Sequence, residues 1–181
     1  MFVNSYSNKY TMIGKIIFSH GHFSHPSSKK IQLLSKIAID NKFIIQSNDY
    51  TKIMNPDDRV DFLLNSFQRH NGINILVGSS MGGYVSTVAS QKIKPDGLFL
   101  LSPAFGLDGY LVQNHIPIAK KIEIIHGWND DTIPVNNIIQ FANKHKCSLH
   151  LLNDEHSLKN SFNEIGYLFT KFLENVKIYL S

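Results

Sequence analysis

The sequence predicts an α/β fold: a three-layer α/β/α sandwich whose mostly parallel sheet has about six strands. Six short apolar runs, several of them β-branched and each bounded by Gly, Pro, Asn or Asp, are separated by segments with helical spacing. The runs are residues 16–18, 43–45, 73–77, 98–101, 122–125 and 149–152. Because strands covered on both faces are apolar throughout, this alternation indicates a sheet between two helical layers.

Four segments carry apolar residues at helical spacing. Val60, Leu63, Leu64 and Phe67 occupy positions i, i+3, i+4 and i+7. The other three sets are Ile31, Leu34 and Ala38; Met81, Val85 and Val88; and Phe162, Ile165, Phe169, Phe172 and Leu173. Such stripes are typical of core packing. No repeat or flexible linker interrupts the pattern, so we expect one domain over residues 1–181.

The composition is that of an ordinary globular protein, with 43% hydrophobic and 18% charged residues among 181. Cys147 is the only cysteine, so no intrachain disulfide can form. No apolar run approaches the length of a membrane span. The polar N-terminal segment, residues 1–15, lacks an apolar signal core. We therefore expect a cytoplasmic protein without a membrane partner.

The formal net charge is +4, but the lysines are dispersed along the chain. The densest short run is Lys29-Lys30. A nucleic-acid partner requires clustered positive charge, so we interpret these lysines as a solvated surface and expect no nucleic-acid partner.

Residues 78–82, Gly-Ser-Ser-Met-Gly, follow the apolar run 73–77 and place Ser80 at the centre of a G-x-S-x-G pattern. The pattern is typical of a nucleophile elbow, a sharp strand-to-helix turn that exposes a reactive serine. The alternative is a glycine-rich turn that only saves space, and Ser79 is the weaker nucleophile candidate because it is off-centre. We expect Ser80 to be the nucleophile and the backbone N–H of Met81 to stabilise an oxyanion.

A serine nucleophile needs a base, and the base needs an orienting carboxylate. Where the serine lies on a nucleophile elbow of this kind of fold, the chain order is Ser, then Asp or Glu, then His. Asp130 follows the run 122–125, and His156 follows the run 149–152. Asp131 is the alternative carboxylate, although its position nearer the next helix suits helix capping. We predict that Asp130 orients the base and that His156 is the base.

The first apolar run is followed by His20-Gly21-His22-Phe23. Glycine allows close backbone approach, so we expect the His22 N–H to be the second oxyanion donor, with Phe23 as the alternative. The trio of His20, His22 and His25 also suggests a zinc site. No firm ligand pattern accompanies it, so we expect no metal and no other cofactor. We expect His20 and His126 to hold their loops through hydrogen bonds.

With these residues assembled, the chain resembles the α/β-hydrolase superfamily, in particular its small bacterial esterase-like members. The motifs that carry the resemblance are His20-Gly21, Gly78-Ser79-Ser80-Met81-Gly82-Gly83, His126-Gly127 with Asp130 and Ile133-Pro134, and Asp154-Glu155-His156. The resemblance implies the same triad and the same two oxyanion donors. Residues 103–119 stand where larger members carry a helical cap, and they are too few for a cap domain. We therefore expect a minimal, lid-less hydrolase fold.

Apolar side chains are expected to bind the substrate. Phe105 and Tyr110 would form one wall over Ser80, and Phe23 and Trp128 would lie opposite. The substrate would be a small acyl compound in an open cleft, bound by a monomer or a homodimer.

These residues together predict a serine hydrolase that cleaves a small ester or thioester through an acyl-enzyme. An amidase or peptidase with the same triad is the alternative. A non-catalytic protein-interaction module on the same fold is a second alternative, because a fold alone does not fix a function.

Overall fold

The computed structural model describes residues 12–178, so residues 1–11 of the polar N-terminal segment lie outside the described residues. Its elements are β1 (Gly14–Ser19), α1 (Lys29–Asp40), β2 (Phe43–Asn48), α2 (Pro56–Ser66), β3 (Ile73–Ser79), α3 (Met81–Ile93), β4 (Gly97–Leu101), β5 (Lys121–Gly127), α4 (Val135–His145), β6 (Ser148–Leu152) and α5 (Phe162–Ile178). Each strand contains one whole predicted apolar run. Within residues 12–178, no helix combines the length and the apolar character needed to cross a bilayer.

All six strands are parallel, in the order β2-β1-β3-β4-β5-β6. The chain runs outward from β1 to β2 and then returns to the other side of β1 to form β3. Parallel sheets bind ligands at such a reversal, beyond the carboxyl ends of the strands. The loops that follow β1 and β3 are therefore placed to form a site.

The helices cover both faces of the sheet, which confirms the predicted three-layer sandwich. Side chains alternate along each strand, so that Phe18 and Val77 pack against α1 and α5. Ile17 and Leu76 point to the opposite face and pack with α2, α3 and α4. Two separate apolar cores result, one on each side of the sheet.

The connection between β4 and β5, residues 102–120, contains no helix or strand, as expected for a fold without a cap. Two side chains from the helices beneath hold it in place. The Tyr84 hydroxyl donates to the Asp57 carboxylate at 2.6 Å and accepts from the Val112 N–H at 3.1 Å. Asp57 also accepts from the Leu111 N–H at 3.2 Å. The segment therefore lies against α2 and α3.

The loop between β6 and α5 is organised around the buried carboxylate of Asp154. Its oxygens accept from the Glu155 N–H at 2.8 Å, the Asn160 N–H and side-chain amide at 2.9 and 3.1 Å, and the Ser161 hydroxyl at 2.8 Å. Burial raises the pKa of this carboxyl, but the hydrogen bonds outweigh burial and hold the pKa below the ordinary aspartate value. The same loop carries His156, so these hydrogen bonds help to fix the position of the His156 backbone.

Replacing the Asp154 carboxylate should therefore lower the free energy of unfolding and make that free energy less dependent on pH in acid. Because the folded-state pKa lies below the unfolded-state value of about 3.9, the carboxylate stabilises fully above that value, and the contribution disappears as pH falls through the folded-state pKa. We expect Asp154→Asn to lower the free energy of unfolding at pH 7 by roughly 1–3 kcal/mol. Urea unfolding measured from pH 7 down to pH 3 should also show a smaller acid-induced loss in this variant.

The exposed aspartate Asp108 supplies the control. Asp108→Asn should behave like the parent protein throughout this pH range. Equal acid sensitivity of the parent and Asp154→Asn would contradict the assigned role.

Candidate active site

The backbone at Ser80 is strained, with φ of 54° and ψ of −121° between β3 and α3. A non-glycine residue in this region costs about 1–3 kcal/mol. Backbone hydrogen bonds hold the turn: the Ser80 N–H donates to the Leu101 carbonyl at 2.9 Å, and the Ser80 carbonyl accepts from the N–H groups of Gly83 at 2.8 Å, Ala104 at 3.0 Å and Tyr84 at 3.3 Å. The turn presents the hydroxyl at the carboxyl end of the sheet.

The flanking glycines allow β1, β3 and α3 to approach closely at this turn. A Cβ on Gly82 would collide with the Ser19 carbonyl, and a Cβ on Gly78 would collide with the Gly82 carbonyl. Gly21, in the loop after β1, lies so near that a Cβ there would come within 3.3 Å of the Ser80 Cβ. The predicted spacing of small residues thus has a steric cause.

Three predicted side chains form one hydrogen-bonded series. The Ser80 Oγ lies 2.9 Å from His156 Nε2, and His156 Nδ1 lies 2.8 Å from Asp130 Oδ2. The other carboxylate oxygen of Asp130 accepts from the backbone N–H groups of Thr132 at 3.0 Å and Ile133 at 2.8 Å. These bonds fix the carboxylate in a side-chain position that solvent does not reach.

The charge on Asp130 determines the protonation of the ring beside it. Burial raises the pKa of this carboxyl, but hydrogen bonds from His156 and the Ile133 N–H outweigh burial and bring the pKa below the ordinary value. Asp130 is therefore a carboxylate at neutral pH, and His156 Nδ1 must donate to it. In the neutral ring the lone pair of Nε2 then faces the Ser80 hydroxyl, which can lose its proton when the oxygen attacks an electrophile.

Asp131 takes no part in this series. Within residues 12–178, its side chain accepts a hydrogen bond only from the Thr132 hydroxyl, at 3.2 Å, and it is exposed. Helix α4 begins at Val135, with Pro134 at the N-cap, so Asp131 lies too far from the helix to cap it. The helix-capping interpretation of Asp131 was therefore wrong. The carboxylate that binds backbone N–H groups here is that of Asp130.

Backbone N–H groups of Met81 and His22 belong to residues that line the same cavity as Ser80. Within residues 12–178, neither group donates to a protein acceptor, and neither does the N–H of Phe23. All three therefore keep their donors available. Both His22 and Phe23 therefore meet this requirement for a second donor.

His20 and His126 hold their loops as expected. His20 Nδ1 donates to the Gly21 carbonyl at 2.7 Å, and its Nε2 accepts from the Tyr50 N–H at 2.9 Å. His126 Nε2 donates to the Ile133 carbonyl at 3.1 Å. Both ring nitrogens of His20 are thus occupied. Over the described ranges, no group of three or more His, Cys, Asp or Glu side chains is placed to hold a metal ion.

Arg59 of α2 is a site feature that the sequence analysis missed. Its guanidinium is fully buried, and within the described residues all its hydrogen bonds go to backbone carbonyls. These carbonyls belong to Ile53 (2.6 Å), Gly21 and Tyr50 (3.2 Å), His20 (3.3 Å) and His22 (3.4 Å). Burial lowers the pKa of Arg59. Arg59 precedes Leu63 by four residues, so the two share the buried face of the helix, which is a signal that the sequence contained.

The arginine sets the direction of the peptide groups in the loop after β1. In a trans peptide, the carbonyl and the following N–H point in opposite directions. The carbonyls of Gly21 and His22 point toward Arg59. The N–H groups of His22 and Phe23 therefore point away from Arg59.

A cavity of about 700 Å³ surrounds the Ser80 hydroxyl. Phe23, 92% exposed, and Tyr110 line it, but Phe105 and Trp128 do not. Phe105, within the β4–β5 connection, is buried in the core, with its ring centroid 4.3 Å from that of Phe141. The Trp128 backbone is paired with β6, and its side chain is half exposed outside the cavity. The predicted apolar walls must be corrected for these two residues.

The interpretation of the Lys29-Lys30 run as solvated surface holds for Lys29 only, which is exposed. Lys30 is half-buried and lines the cavity together with Leu34. The two residues are four apart and share one face of α1. That spacing was present in the sequence, next to the predicted buried stripe.

Several solved structures are similar to this fold over most of their length. An inferred alpha/beta-superfamily hydrolase from Xanthomonas campestris pv. campestris has 24% identity and a TM-score of 0.80, with 90% of this chain and 99% of that chain covered. A lid-less alpha/beta serine hydrolase from Xanthomonas campestris has 12% identity and a TM-score of 0.67, with 93% and 85% covered. The esterase Pf2001 from Pyrococcus furiosus has 15% identity and a TM-score of 0.70, with 90% and 83% covered.

These structures show that the chain has a minimal, lid-less α/β-hydrolase fold, as its sequence predicted. No curated protein matches the sequence. The model of the uncharacterised protein family UPF0227 matches residues 15–118. Since this match covers more than half of the chain, the chain belongs to that family.

Proposed function

We propose that this protein is a serine hydrolase in which Ser80 is the nucleophile, His156 the base and Asp130 the residue that orients the base. The observation that carries the proposal is the hydrogen-bonded series from the Ser80 hydroxyl through His156 to the buried Asp130 carboxylate, at 2.9 and 2.8 Å. The strained backbone of Ser80 supports it, because such strain persists at functional sites.

In the first half of the reaction, His156 Nε2 takes the hydroxyl proton as Ser80 Oγ attacks the substrate carbonyl. The negative charge that develops on the carbonyl oxygen accepts hydrogen bonds from Met81 N–H and His22 N–H. The bond to the leaving alcohol or thiol then breaks, and His156 gives that group the proton. An acyl group remains bound to Ser80.

In the second half, a water molecule replaces the leaving group. His156 takes a proton from the water as its oxygen attacks the acyl carbonyl. The Ser80–acyl bond breaks, the acid is released, and His156 returns the proton to the serine oxygen. Asp130 stays ionised throughout and stabilises the imidazolium that forms twice in the cycle.

We infer that the substrate is a small ester or thioester. A cavity of about 700 Å³ is in the range that holds a small molecule, and no cap encloses it. The likeness to the Pyrococcus esterase and to the lid-less serine hydrolase supports the same class. An amide would use the same relay, so comparison of an ester and an anilide with one acyl group separates the two reactions.

Ser80→Ala should abolish hydrolysis, with a loss in kcat of about 10⁶ if the serine acts as a nucleophile. The measurement is release of p-nitrophenol from short p-nitrophenyl esters, together with labelling by a fluorophosphonate. Ser79→Ala is the matched control and should keep both activity and labelling. Labelling of Ser80→Ala would refute the assignment, and failure of the parent protein to react at all would favour a non-catalytic interaction module.

Asp130→Asn should lower kcat by about 10⁴, because an amide cannot hold the ring of His156 in the required tautomer. The neighbouring Asp131→Asn should stay within a few-fold of the parent, since the exposed Asp131 side chain bonds to the Thr132 hydroxyl and not to His156. Steady-state kinetics on one ester measure both variants. The reverse order of effects would show that the carboxylate has been misassigned by one residue.

Arg59→Lys should lower kcat by about 10², with a smaller change in KM. A lysine lacks the several donors with which the guanidinium holds the carbonyls of Gly21 and His22. The N–H groups on the other side of these two peptides would then no longer be held in the orientation that stabilises the oxyanion. The matched control is Arg69→Lys, which alters an arginine bonded to the end of α3. An Arg59→Lys variant that unfolds more easily but keeps the kcat of the parent would limit Arg59 to a structural role.

A further inference from the structure

The charge of the active-site cavity is unusual for a site proposed to bind a small apolar ester. Its lining contains no aspartate or glutamate among the described residues, and its only lysine or arginine is Lys30. His20, also in the lining, has a pKa lowered by burial and is neutral at pH 7. Apart from its histidines, the cavity therefore presents one positive charge and no carboxylate.

Lys30 has no direct partner within residues 12–178, where none of the hydrogen bonds or ion pairs involves its amino group. The two carboxylates that influence it electrostatically, Asp130 and Asp154, direct their oxygens elsewhere. Asp130 accepts from His156 and two backbone N–H groups. Asp154 accepts from Glu155, Asn160 and Ser161.

The surroundings of Lys30 make this arrangement costly. Burial lowers the pKa of Lys30 to about 8, against the attraction of Asp154 and Asp130. At pH 7 the amine is still mainly protonated. No acidic side chain lies in the first turn of α1 to offset the charge. A partly desolvated cation without a counter-ion is stabilised by an anion that binds beside it.

We propose that Lys30 selects substrates that carry an anionic group, a carboxylate on either the acyl or the alcohol part of the ester. This inference rests on the proposed function, because it assigns the specificity of the same cavity. Lys30 would pair with the substrate carboxylate while Ser80 attacks the ester carbonyl. The apolar lining from Leu34 and Leu107 would surround the rest of the molecule.

The experiment compares two matched pairs of esters. For the acyl part, p-nitrophenyl hemisuccinate is compared with p-nitrophenyl butyrate, which has the same number of acyl carbons. For the alcohol part, 4-(butanoyloxy)benzoate is compared with its methyl ester. Each kcat/KM is divided by the rate of hydroxide hydrolysis, so that the ratio within a pair reports recognition of the charge.

In the parent protein, one pair should favour the anionic ester and thereby show which part carries the carboxylate. Lys30→Met should lower that ratio by about 10- to 100-fold, Lys30→Glu should lower it further, and Lys30→Arg should restore most of it. Lys29→Met removes the adjacent exposed charge and should leave the ratio unchanged.

An unchanged ratio in Lys30→Met, or an equal fall in Lys29→Met, would overturn the proposal. A parent ratio at or below one in both pairs would do the same. The proposed hydrolase function fails separately, through absence of fluorophosphonate labelling and of turnover for all four esters. The two failures are therefore distinguishable.

Discussion

The strained backbone at Ser80 is the constraint on which the remainder of the site depends. A strand that ends in this conformation must turn at once into α3, and only residues without a Cβ fit where β1, β3 and the helix meet. The Leu101 carbonyl and the Ala104 N–H fix the turn from the neighbouring strand and its connection. Because strand β4 and the connection after it supply these partners, the position of the hydroxyl depends on the sheet as well as on the turn itself.

Two buried charges hold the loops on either side of this turn, and they act in complementary ways. Arg59 donates to carbonyls of the loop after β1, whereas Asp154 accepts from N–H groups and side chains of the loop after β6. Neither is paired with an opposite charge among the described residues. Charge-assisted hydrogen bonds to the backbone are stronger than neutral ones. Each charge therefore holds its loop in place, although the loop lacks the hydrogen bonds of a helix or a strand.

The sequence predicted most of the fold and the three residues of the relay, for physical reasons. Buried parallel strands must be apolar throughout, so all six runs were recognisable. The crowding around Ser80 requires glycines at fixed distances, and the chain order of Asp130 and His156 follows from the order of the strands. The first two features depend on residues that are close in the sequence, and the third depends on the order of strands that this fold keeps.

Features that depend on distant contacts were not predictable in the same way. Phe105 and Trp128 are apolar residues near the site in sequence, but packing turns one into the core and leaves the other outside the cavity. Arg59 and Lys30 are charged, and a charged residue is by default assigned to the surface. The only sign of their burial in the sequence was that each lies four residues before an apolar residue of the buried helix face. This spacing does not specify which groups the buried charge contacts.

The position of Lys30 also has a consequence for the chemistry of the relay. In the proposed acylation step His156 would become an imidazolium, in the same cavity as a lysine that is mainly protonated. Two like charges in a partly desolvated site repel each other, so an unpaired Lys30 would disfavour the imidazolium. A substrate carboxylate beside Lys30 would cancel this repulsion during the reaction itself. The anion would then raise kcat as well as lower KM, because the interaction that it relieves exists only when His156 is charged. Selection of anionic esters through Lys30 would thus differ from tighter substrate binding by the lysine charge, which would change KM alone.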